Sequence, residues 1–135
     1  MHHARGFTLV ELLVVIVIIG LLAGLAAPRY FGKIETTKVQ VARAQIDALD
    51  RGISQFRLDT GSLPDGRTGL HALMTRPAGL EGWAGPYLKR LPPDPWEHPY
   101  VYEAPGRDGR DFDVVSYGED GAFGGAGAAA DIDIN

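Results

Sequence analysis

The chain has 135 residues, a formal net charge of −4 and no cysteine. That length holds one modest domain plus an anchor, and a chain without Cys has no disulfide staples, thiol catalysis or Cys-ligated zinc. Lys89-Arg90 is the only adjacent basic pair, so the clustered cations of a nucleic-acid footprint are missing.

The N-terminal segment comes first and is the most informative. Sixteen uncharged, mostly aliphatic residues run from Leu12 to Ala27, preceded by Phe7-Thr8-Leu9-Val10 and the acid Glu11. Together they make an apolar stretch of about 20 residues, enough to cross a bilayer core of ~30 Å as a helix. Three readings compete. A cleaved secretory signal would be shorter, with its small-residue site at Ala23 to Ala27. A plain signal anchor fits the length and leaves Glu11 unexplained, although an intramembrane acid points by default to a function and a partner. In the third reading the chain is cut after Gly6, so Phe7 gains a free amine. Glu11 then lies one helical turn away on the same face, able to pair with that amine or with a neighbouring copy's. Snorkelling of Glu11 to the headgroups stays open beside that pairing. Gly20-x-x-x-Gly24 also matches the close-packing pattern of membrane helices.

Pro28 ends the aliphatic run without a loop signal after it. Ile34, Val41, Ala42, Ile46, Leu49, Ile53 and Phe56 recur at helical intervals, and positions 42, 46, 49, 53 and 56 define one apolar face. A second helical part is expected from about Tyr30 to Asp59, kinked or melted near Pro28. Asp59-Thr60-Gly61 supplies the stop.

The remainder is rich in Gly and Pro. Tyr100 to Glu103 and Phe112 to Tyr117 read as strands joined by a hairpin loop over 104–110. Alternation in the second strand is only partial, which leaves its faces unassigned. Trp83, Tyr87, Trp96 and Tyr100 read as packing on the amphipathic helix rather than as a ligand-stacking platform.

Arg5-Gly6-Phe7-Thr8-Leu9-Val10-Glu11 with its apolar run resembles the processing motif of type IV pilins and pseudopilins. The resemblance narrows downstream. Asp59-Thr60-Gly61-Ser62-Leu63-Pro64, Gly69-Leu70-x-Ala72-Leu73, Leu91-Pro92-Pro93-Asp94-Pro95-Trp96 and Ser116-Tyr117-Gly118-Glu119-Asp120-Gly121 are similar to the major pseudopilins of type II secretion systems. This implies cleavage between Gly6 and Phe7 by a prepilin peptidase, N-methylation of Phe7, and an approach of Glu11 to a neighbouring Phe7 amine during assembly. It implies a leader over 1–6, a transmembrane and filament-core helix over 7–29 with a kink at Pro28, and a periplasmic domain over 30–135. The expected fold is α+β: a long N-terminal helix, half transmembrane and half amphipathic, on a small antiparallel sheet with a Gly/Pro-rich C-terminal loop.

No nucleophile–base pair, second zinc-spaced His or Gly-rich nucleotide loop stands out, and paired acids such as Asp111/Asp113 and Asp131/Asp133 read as solvated loop ends. The chain is expected not to be an enzyme. Calcium is the one cofactor that the resemblance implies, held in the C-terminal loop by Asp120 and the Tyr117 carbonyl. Where relatives continue with Asp, Ser or Asn, this chain has Ala126-Gly127-Ala128-Ala129-Ala130, so a second side-chain ligand is missing. Asp131 can compensate, or packing and hydrogen bonds alone hold the loop. By resemblance, the protein sits in the inner membrane as a single-pass subunit. It forms a homopolymer with minor pseudopilins on an inner-membrane assembly platform, driven by a cytoplasmic ATPase, and pushes folded proteins out. The rivals are a type IV pilus or competence filament subunit and a membrane-anchored periplasmic binding module.

Overall fold

The computed structural model describes residues 6–133, without the side chains of 27–31. Most of the expected leader (residues 1–5) and the Pro28 ring therefore lie outside the described residues. The chain divides into two compact units, Met1–Thr36 and Thr37–Asn135. One α-helix, α1 (Leu9–Thr60), contributes to both, and its assignment passes through Pro28 without a break.

Among the described residues of the first unit, α1 has no buried side chain. Leu9–Ala26 has a mean hydropathy of 2.9 and is 0% buried, so its aliphatic side chains are exposed all round the helix. A helix apolar on every face needs a nonaqueous surrounding or other helices.

In the second unit the amphipathic part of α1 does ordinary core work. Ala42, Ile46, Leu49, Ile53 and Phe56 are buried, and they pack with Leu70, Leu73, Tyr100, Val114 and Ile132 in one cluster. Val41, which shares the helical periodicity, is exposed, because its position falls off the four-three-four-three stripe. The helix ends at Thr60. Gly61 takes a φ of 74°, and its N–H donates to the Arg57 carbonyl at 2.8 Å, a left-handed C-cap that suits a residue without Cβ.

Strands β1 (Val101–Glu103) and β2 (Asp113–Val115) pair antiparallel, with Val101 opposite Val115 and Glu103 opposite Asp113. They are shorter than the sequence suggests. Ser116 leaves the ladder to bridge Ile132 through two hydrogen bonds of 2.9 and 2.8 Å, which brings the chain's end back to the sheet. Asp113 departs from the expectation of a solvated acid. It is 1% exposed in the middle of the core edge and accepts the Arg107 N–H at 2.6 Å. Its Oδ1 makes no hydrogen bond of good geometry, yet lies 3.0 Å from Arg110 Nε, so its charge is offset.

The aromatics pack on this core. The Trp83 indole donates to the Ala72 carbonyl at 2.8 Å, and the Tyr87 hydroxyl donates to Asp59 at 2.9 Å. Tyr87 meets both Phe56 and Trp83 edge-on at 5.7 Å, while Tyr100 donates its hydroxyl to Gln45.

Candidate functional site: the helix start and the C-terminal loop

Gly6 and Phe7 precede α1 as exposed chain, Phe7 being 89% exposed. Residues 6–8 belong to no helix or strand. Glu11 then meets Thr8. The Thr8 N–H donates to Glu11 Oε2 at 2.8 Å, the Thr8 hydroxyl donates to the same oxygen at 2.9 Å, and the Glu11 N–H donates to Thr8 Oγ1 at 3.2 Å. This is a capping box, Thr-x-x-Glu, in which each residue satisfies the other's unpaired backbone donor. Thr8 is the partner that charge-based reasoning overlooks, and its signal is in the sequence: Thr-x-x-Glu directly before an apolar run. The carboxylate is thereby fixed at the end of an exposed apolar rod, on the backbone N–H of the residue that follows Phe7.

Asp94 organises the second unit's polar interior. Its Oδ1 accepts the N–H groups of Trp96 at 3.0 Å and His98 at 2.8 Å, and its Oδ2 accepts the Ser116 hydroxyl at 2.5 Å. Ser116 Oγ in turn accepts the Gly118 N–H at 3.3 Å, and His98 Nδ1 lies 3.0 Å from the Gly118 carbonyl. Serine, histidine and aspartate thus come together without forming a nucleophile. The hydroxyl donates its hydrogen bond to the carboxylate rather than to imidazole, and Ser116 is fully buried.

The C-terminal loop begins at Tyr117, half-buried with its ring edge-on to Phe123 at 6.3 Å. Arg107 lies over Phe123 at 4.5 Å and donates to the Tyr117 hydroxyl at 3.4 Å and to Glu103 at 3.3 Å. The Tyr117 and Glu103 partners raise the Arg107 pKa further above its ordinary value. Asp120 is exposed and accepts the Ala122 N–H at 3.1 Å. Asp131 accepts the Gly124 N–H with both oxygens, each at 3.0 Å. Among the described residues no three His, Cys, Asp or Glu side chains converge as a metal-holding group.

The comparisons with known proteins agree on one family. A family model described as type II secretion system (T2SS), protein G matches residues 29–135, and the prokaryotic N-terminal methylation motif matches residues 1–27. The type II secretion system core protein G of Pseudomonas aeruginosa is 43% identical over 135 residues, covering 97% of this chain and 94% of the relative. Its counterpart in Vibrio cholerae is 42% identical, covering 98% and 92%. The crystal structure of the major pseudopilin from the type 2 secretion system of enterohaemorrhagic Escherichia coli matches with a TM-score of 0.65 at 29% identity, covering 76% of this chain and 90% of that one. A methylation motif, a secretion-type domain behind it and near full-length similarity to these relatives place the chain in the type II secretion system protein G family.

Proposed function

We propose that this chain is a major pseudopilin subunit, which polymerises into the periplasmic pseudopilus of a type II secretion system and drives export of folded proteins across the outer membrane. The observation that carries this reading is the uncovered rod: Leu9–Ala26 is apolar and 0% buried, and it starts at an acid held by Thr8 just after Gly6-Phe7. Lipid covers such a helix before assembly, and neighbouring copies cover it afterwards.

Prepilin peptidase cuts between Gly6 and Phe7, and Phe7 is N-methylated. The new amine of one subunit then offers a counter-charge to Glu11 of another, more favourable in lipid than a hydroxyl and an amide alone. Residues 7–29 form the filament core, with Pro28 as the place where the helix can yield, and residues 30–135 project into the periplasm. Minor pseudopilins and the inner-membrane platform are the further partners. The protein works by assembly rather than catalysis.

Glu11→Ala is expected to abolish filament formation in cells supplied with the secretion partners, while the periplasmic domain melts as before. Mass analysis of the native N-terminus should find Phe7 carrying one methyl group. Normal filaments from the variant, or an uncut leader in a functional filament, would remove the basis of the proposal.

A further inference from the structure

We propose that the C-terminal loop of this chain, residues 117–131, is closed by Asp131 on its own backbone and needs no calcium, in place of the ion that the family resemblance implies. The Gly124 N–H lies 3.0 Å from each carboxylate oxygen of Asp131. It fills the notch between the two oxygens, which is where a bidentate calcium ligand places its ion. Asp120 is likewise engaged, capping its own turn through Ala122.

Calcium needs six to eight oxygens. Two carboxylates and one carbonyl supply at most five even if both acids are bidentate, and Ala126-Gly127-Ala128-Ala129-Ala130 adds no side-chain oxygen. Those residues hold the loop in another way. The Ala128 carbonyl accepts the Glu119 N–H at 3.0 Å, and a single 3-10 turn, Gly127–Ala129, is closed by Ala130 donating to Gly127 at 3.2 Å. The limbs touch backbone to backbone: a Cβ on Gly118, whose φ is +66°, would stand 2.7 Å from the Ala128 oxygen. The Ser116–Ile132 bridge secures the base of the loop, and the Arg107 guanidinium stacks on one face of the Phe123 ring.

Electrostatics point the same way. An ion in an acid-rich loop offsets repulsion among carboxylates, and alanines in their place leave little repulsion to offset. A carboxylate accepting an N–H supplies a charge-assisted bond that serves as the closure.

The test is thermal unfolding of the full-length chain in detergent micelles, with calcium chloride or with a chelator. Its readout requires no filament, so it stands or falls apart from the assembly role. Equal melting temperatures are expected in the two media. Asp131→Ala should lower both by about 4–8 °C, and Asp131→Asn, which keeps one acceptor oxygen, by less. Chymotryptic cutting after the exposed Phe123 should accelerate in Asp131→Ala and be indifferent to chelator in the parent chain. A calcium-dependent rise in the parent's melting temperature would overturn the proposal, as would wild-type melting of both Asp131 variants.

Discussion

At Asp94 a carboxylate that is 3% exposed accepts three hydrogen bonds from two different segments of the chain. Removing it strands the buried Ser116 hydroxyl and two backbone N–H groups, and each unpaired buried donor carries a desolvation penalty. Asp94→Ala should therefore destabilise the domain by on the order of 3 kcal/mol, read as a lower urea midpoint. Asp94→Asn should recover part of the loss, since its carbonyl still accepts from the two amides. Equal midpoints for Asp94→Ala and the parent would show the network to be dispensable. Pro-Pro-Asp-Pro-Trp was legible as a family segment, but the hub was not, because Ser116 lies 22 residues away and no local pattern announces that pairing. Thr8 is the opposite case. The Thr-x-x-Glu spacing is in plain view, yet the charge of Glu11 points to the Phe7 amine, its own or a neighbouring copy's, rather than to the Thr8 hydroxyl.

For α1, the stripe at 42, 46, 49, 53 and 56 was readable because its spacing repeats over four steps, and burial follows it. Its consequence is a contrast between faces. Ile53→Ala removes a fully buried side chain and should cost about 2–5 kcal/mol. Val41→Ala removes an exposed one and should stay within about 0.5 kcal/mol. Urea unfolding of the two variants checks this, and comparable losses would mean that the helix packs on another face. The sheet was less legible. Both strands were recognised near their true places, but partial alternation gave no face for Asp113, whose burial depends on Arg107 and Arg110 from the hairpin loop. In the C-terminal loop the alanine run was visible as a lost ligand. What it left open was the closure, since Asp131 reaches Gly124 across seven residues and loop backbone geometry follows no periodicity.

For the whole molecule, cooperative unfolding reports the second unit, because Leu9–Ala26 has no buried surface to lose. That unit favours the neutral phenol at Tyr87, Tyr100 and Tyr102. Burial pushes Tyr102 up to about 12 while its hydroxyl donates to the Pro64 carbonyl at 3.1 Å. Burial, together with the charge of Asp94, raises Tyr100 as well, and burial raises Tyr87 against the opposing Ala84 N–H. An unfolded chain releases such protons near pH 10, roughly the free phenol value. Above that pH the unfolded state binds fewer protons than the folded one, so stability falls as pH rises. Below it both states are protonated and these groups contribute no slope. The urea midpoint should thus be insensitive to these groups up to about pH 10 and decline from there to about 12. Tyr102→Phe should start lower, having lost the Pro64 bond, but decline less steeply, because one of the shifted phenols is gone. A parent midpoint that stays level through that window would mean the phenols ionise in the folded domain as easily as in water, and that burial does not hold them neutral.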